Sequence, residues 1–79
     1  MELKGQGLLD EAWAAFEELI AKFPEYVATY LMAGGTLVAL GRKLEAADVY
    51  RKGIEVAQRR GDQHARRELE GALNEIAPA

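Results

Sequence analysis

The 79-residue sequence contains no cysteine and no serine, one histidine, two prolines, and threonine only at Thr29 and Thr36. Without cysteine there is neither a disulfide nor a thiolate metal site, and a reducing compartment suits the chain. Without serine or cysteine, a nucleophile of the Ser–His–Asp or Cys–His kind is excluded. The prolines stand apart, at Pro24 and Pro78, and no Ser/Gly-rich or low-complexity tract forms a linker, so one compact unit over 1–79 is expected. The opening MELKGQG lacks the basic start and apolar run of a secretory signal, which makes the cytoplasm the expected location. Formal charge is −3, with six acids and two bases in residues 1–40 against seven acids and eight bases in residues 41–79. That is solubilising charge rather than a tail for a polyanion.

Charge is also missing locally. From Tyr26 to Gly41, sixteen consecutive residues include no Lys, Arg, Asp or Glu, and Gly34-Gly35 lies at the centre of the window. Crossing a bilayer takes about 18 to 20 apolar residues, so this stretch is too short to span one and no membrane association is expected. A helix that is apolar around most of its circumference must be covered on more than one side. The neighbours that cover it come from the rest of the chain.

Helical periodicity runs through each segment that the breakers delimit. Leu9, Ala12, Trp13, Phe16, Leu19, Ile20 and Phe23 recur at the spacing of one helix face, opposite Asp10, Glu11, Glu17 and Glu18, and Pro24 ends that helix. Val27–Leu40 forms the second, closed by Gly41. The third runs from Lys43 to Arg60 with Leu44, Ala47, Tyr50, Ile54 and Ala57 on one side, and Gly61 stops it. Asp62 is placed to cap a fourth, whose stripe is Ala65, Leu69, Ala72, Leu73 and Ile76, with Pro78 just past its end. No segment alternates as a half-buried strand does, and the short connections suit antiparallel neighbours, so the class is all-α with four helices.

The first and third helices repeat. Gly7 and Gly41, Glu11 and Glu45, Ala12 and Ala46, Phe16 and Tyr50, and Ile20 and Ile54 are each 34 residues apart. One unit reads Tyr30-x2-Ala33-Gly34-x2-Leu37 followed by Ala46-x3-Tyr50, and an earlier half-unit reads Ala12-x3-Phe16 followed by Pro24. This pattern resembles the tetratricopeptide repeat family, built from helix–turn–helix units of about 34 residues. Ala33 and Leu37 stand where the family has larger or aromatic residues, and Gln58 where it has proline. The resemblance implies antiparallel hairpins stacked as a short right-handed superhelix. Residues 7–24 would be the second half of a first repeat, 26–60 a complete repeat, and 62–77 the capping helix. Small side chains at a helix crossing permit close approach, so Gly34 and Ala46 are expected to form the closest contact within the hairpin. The alternative for Gly34-Gly35 is a kink or hinge.

Family members bind peptides or helices in a groove lined by the first helix of each unit. Carried over by position, the groove here would be Ala28, Leu31, Met32, Gly35 and Val38. All are apolar or small, which suits an amphipathic helix. Members that grip the acidic C-terminal tails of heat-shock chaperones use Lys, Asn and Arg at such positions, and none is present. The expected function is therefore a non-enzymatic protein-interaction module with a protein or peptide partner. A tetratricopeptide unit does not cover its own apolar face, and the stretch MELKGQ offers at most a final turn of a preceding helix. Either the chain is part of a longer array, or it pairs with a second copy; the second reading is the expected one and makes Leu9, Trp13, Phe16 and Ile20 the self-association surface of a homodimer, or of a structural homo-oligomer with no other ligand.

Other chemistry is sparse. Asp62, His64 and Glu68 could place metal ligands on one helix turn, but a single histidine with exposed carboxylates reads as a surface pair, so no metal, cofactor or catalytic residue is expected. Arg59, Arg60, Arg66 and Arg67 could contact phosphate in a nucleic-acid accessory role. The acidic balance opposes this, and Arg66 is spaced to pair with Glu70. Arg60-Gly61-Asp62 looks like an adhesion tripeptide, but its glycine and aspartate already serve as helix stop and helix start. Trp13, Tyr26 and Tyr30 could form an aromatic cage, but at helical spacing they read as packing residues.

Overall fold

The computed structural model describes residues 3–76. It contains four helices: α1 (Leu3–Lys22), α2 (Val27–Ala39), α3 (Lys43–Arg60) and α4 (Gln63–Ile76). The chain is all-α as expected, and Pro78 lies outside the described residues.

The turns follow from local chemistry. Gly41 has φ of +80° and Gly61 of +71°, the left-handed region that glycine enters without steric cost. At the first turn the Gly41 N–H donates to the Val38 carbonyl at 2.9 Å and the Arg42 N–H to the Leu37 carbonyl at 2.8 Å. At the second, Gly61 donates to Gln58 at 3.2 Å and Asp62 to Ala57 at 2.9 Å. Both are Schellman closures, which satisfy helix-end carbonyls that would otherwise have no partner. Asp62 then starts α4, its Oδ1 accepting from the Ala65 N–H at 3.1 Å. Pro24 lies just past the last turn of α1, and its carbonyl accepts from the Tyr30 hydroxyl at 2.7 Å, tying the first turn to α2.

The uncharged helix is central. α2 packs against α1, α3 and α4, and α3 also packs against α4, whereas α1 makes no close backbone approach to α3 or α4 among the described residues. Coverage from three sides is why α2 carries no charge. Tyr30, Leu37 and Leu69 are the largest fully buried side chains, each contributing about 1.5–3 kcal/mol by leaving water.

Within the α2–α3 hairpin the close approach differs from expectation. A Cβ on Gly34 would lie 2.1 Å from Cε1 of Tyr50, and one on Gly53 would lie 2.6 Å from Cβ of Tyr30. Each glycine therefore faces the tyrosine of the opposite helix, so the partner of Gly34 is an aromatic ring rather than the Ala46 methyl. Ala46 is fully buried. α2 runs unbroken through Gly34-Gly35, so the pair does not kink the helix; Gly34 serves close packing, and a Cβ on Gly35 would meet nothing within 4 Å.

Two further expectations are corrected. α1 is described from Leu3 and passes through Gly7, so residues 3–6 extend α1 and are not the last turn of a preceding helix. Glycine inside a helix costs about 1 kcal/mol but breaks it only where the chain must turn; Gly41 turns and Gly7 does not. Leu44, assigned to the buried side of α3, is 86% exposed, because the face that meets α2 runs through Ala46, Tyr50 and Gly53.

Candidate functional site

α2 presents two faces to two grooves. Ala28, Leu31, Met32, Gly35 and Val38 recur at helical spacing and share one side of it, with Tyr30 and Leu37 on the other. Ala28 and Gly35 are exposed, Met32 is 57% exposed, and Leu31 and Val38 are half-buried against the core. Ala28 and Leu31, with Val27, Ala65 and Leu69, line a cleft of about 220 Å³ between α2 and α4. Its rim holds Asp62, His64 and Glu68 from α4 and the turn before it. The floor offers apolar contact without a charge, while α4 supplies the polar edge.

The larger groove lies on the other side, between α1 and α3 and floored by Tyr30, with a volume of about 530 Å³. Trp13, Ile20 and Ala21 from α1 face Val49 of α3, and Glu17, Lys52 and Glu55 stand along the rim. An adjoining cavity of about 330 Å³ shares Ile20, Tyr30 and Lys52 and continues to Pro24 and Arg59. Its end is bridged by Arg59 and Glu25 at 2.7 Å. Near its start the Arg42 guanidinium sits 5.9 Å from the Trp13 ring centroid, within cation–π range. Arg42 also forms a two-point ion pair with Glu45, the second contact being 3.0 Å from Nη2 to Oε2. Hydrogen bonding to Arg42 holds the Glu45 carboxyl below its ordinary range.

The four residues expected to mediate self-association are divided by this geometry. Trp13 and Ile20 pack toward the core and line the α1–α3 groove, while Leu9 and Phe16 are half-buried. The outer face of α1 exposes Leu8 and Leu19, and Phe23 just past the helix end is exposed as well. Val49, Lys52 and Glu55 were missed as groove residues. The available signal was Val49 and Val56, seven residues apart and outside the stripe assigned to α3.

Tyr30 and Tyr50 are packed in the core, whereas Tyr26, expected to be a packing residue, is 65% exposed because it stands in the turn before α2. Burial raises the Tyr30 and Tyr50 hydroxyls above the ordinary tyrosine value, with smaller raising contributions from Glu25 and Glu75 respectively. Two of the four arginines of the Arg59–Arg67 stretch form ion pairs, Arg59 with Glu25 at 2.7 Å and Arg66 with Glu70 at 3.4 Å. His64 and Glu68 form an exposed pair at 3.4 Å, and Asp62 is occupied in capping. Among the described residues no helix is long and apolar enough to cross a membrane.

Comparison with solved structures gives two matches to tetratricopeptide repeat domain proteins from Salinibacter ruber. A solution NMR structure superposes with a TM-score of 0.85 at 38% identity, over 96% of this chain and 76% of that chain. A crystal structure superposes with a TM-score of 0.78 at 34% identity, over 96% of this chain and 94% of that one. No family model and no curated protein matches the chain.

Proposed function

Because this chain belongs to the tetratricopeptide repeat family, we propose that it is a non-enzymatic interaction module that seats an amphipathic helix or peptide on the α2–α4 face. Residues 26–60 form its complete repeat, 7–24 the second half of an earlier one, and 62–77 the cap. The observation that carries this reading is an apolar face on α2, on which Met32 is 57% exposed and Leu31 lines, with Val27 and Leu69, a cleft against α4. Methionine is flexible and polarisable, so it adapts to side chains of differing shape. Charged groups stay on the α4 edge, where they select orientation without crossing the floor.

Met32→Lys tests this, with partners drawn from a library of amphipathic helical peptides. Met32 is largely exposed, so the substitution should leave helicity and stability within about 0.5 kcal/mol of the parent while binding is lost. Leu31→Asp should also abolish binding, but at a cost in stability, because Leu31 packs against the core. Equal retention of peptides by the parent and Met32→Lys would remove the face from consideration. The second reading, a homo-oligomerisation domain, is favoured by the exposed Leu8 and Leu19 on α1 and Phe23 just past its end.

A further inference from the structure

The internal repeat is a template for what α1 lacks. In α3, Tyr50 and Gly53 touch α2, while Ala46 and Ala57 are fully buried. The residues 34 positions earlier are Ala12, Phe16 and Leu19 of α1 and Phe23 just past its end. Among the described residues no helix lies on that face: Leu19 is 40% exposed, Phe23 57%, and Leu8 one turn earlier 67%. The template therefore specifies an apolar seat for one more helix.

α4 of a second copy fits that seat poorly. Tyr30 and Gly34, through which α2 meets α3, correspond at the same offset to His64 and Glu68 of α4, both exposed and paired with each other. Seating them on Leu19 and Phe23 would strip polar groups of water without partners, so head-to-tail stacking is disfavoured.

The same face of a second copy fits well. Resting on the self-association reading of α1, we propose that two copies pair α1 against α1 in antiparallel fashion, about a two-fold axis between Ala15 and Phe16. Symmetry about that point sets Leu8 opposite Phe23 of the second copy, Ala12 opposite Leu19, and Ala15 opposite Phe16, so small residues meet large ones along the centre of the contact. Such an isologous contact closes on itself and does not propagate. Glu11 and Lys22 lie exposed beside the stripe, and the antiparallel register brings each near the other's counterpart, twice per dimer. The paired stretch is about 23 Å long at 1.5 Å per residue. That places the interface near the low end for specific contacts, at about 1,000 Å² in total, the size class of weak and transient pairing.

The test is sedimentation velocity on the 79-residue chain from about 1 to 500 μM, a range that covers weak pairing, with circular dichroism on every variant. The parent should move from monomer to dimer. Leu19→Glu, or Leu8→Glu at a still more exposed site, should weaken association by at least about 100-fold, through an unpaired charge in the contact, with helicity unchanged. Met32→Lys should leave it unchanged. Glu11→Lys should weaken association several-fold, and adding Lys22→Glu should restore it, a rescue that only the antiparallel register provides. A parent that stays monomeric at 500 μM would overturn both the inference and the self-association reading. A dimer that ignores Leu19→Glu and Leu8→Glu, responds instead to Met32→Lys, or shows no charge-swap rescue would overturn the α1 pairing while leaving self-association standing.

Discussion

Replacing Gly34 with alanine would put a methyl 2.1 Å from Cε1 of Tyr50 and 2.6 Å from its Cδ1 and Cζ. Non-bonded carbons prefer about 3.5–4.0 Å, so the ring would have to retreat by more than an ångström from a position that is only 4% exposed. Overpacking of this kind costs about 1–3 kcal/mol, against about 1 kcal/mol gained from the better helix propensity of alanine. The net expectation is a loss of up to about 2 kcal/mol. At Gly35, one residue along the same helix, an added Cβ meets nothing within 4 Å. There the propensity gain of about 1 kcal/mol is retained in full. Adjacent glycine-to-alanine substitutions should thus move stability in opposite directions. In a domain of this size about 1 kcal/mol shifts the Tm by about 4–8 °C, so Gly35→Ala should raise the Tm by that amount and Gly34→Ala should lower it. Thermal and urea unfolding followed by circular dichroism measure both, with an unchanged urea slope confirming that stability and not compactness moved. Combining Gly34→Ala with Tyr50→Leu, which removes the obstructing ring atoms, should cost less than the sum of the two changes. If Gly34→Ala stabilises as Gly35→Ala does, the helices do not approach as described.

Asp62→Ala removes the acceptor for the Ala65 N–H and should cost about 0.5–2 kcal/mol in urea unfolding; an unchanged midpoint would show that the cap contributes nothing. Gly41→Ala forces a side chain into the left-handed region and should cost about 1–2 kcal/mol, whereas a neutral result would mean that the turn relaxes to another conformation. Alkaline stability should fall as pH rises past the ordinary tyrosine value of 10.0, since burial raises both Tyr30 and Tyr50 when folded. The folded state then holds protons that the unfolded state releases, so this contribution is complete below that pH and is lost as pH climbs through the folded values. Tyr50→Phe should flatten the decline in unfolding midpoint between pH 9 and 11, a range chosen to span the ordinary tyrosine pKa of about 10, and an identical decline would assign it to other groups.

Helix identity was legible because its signals are local. Gly41 and Gly61 stop helices by their own conformation, Asp62 caps through an atom three residues from its partner, and α4 buries the stripe that its spacing marks out. The 34-residue self-match was equally visible, since it needs only the order of residues. Leu44 and Val49 were harder to place. Both lie on the borders of the α3 stripe, and one ends 86% exposed while the other lines the α1–α3 groove. Periodicity gives the centre of an amphipathic face but not which edge a neighbour will cover.

Order along the chain, then, determined that there are four helices, where they end, that α2 must be enclosed, and that a unit recurs. Packing alone decided that Gly34 meets Tyr50 and Gly53 meets Tyr30, that the wider groove opens between α1 and α3, and that Leu8 and Leu19 of α1 and Phe23 just past it are left in water. The division has a physical cause. Propensity, capping and period act over a handful of consecutive residues, whereas crossing angle and side-chain volume are settled between helices whose residues are far apart in the sequence.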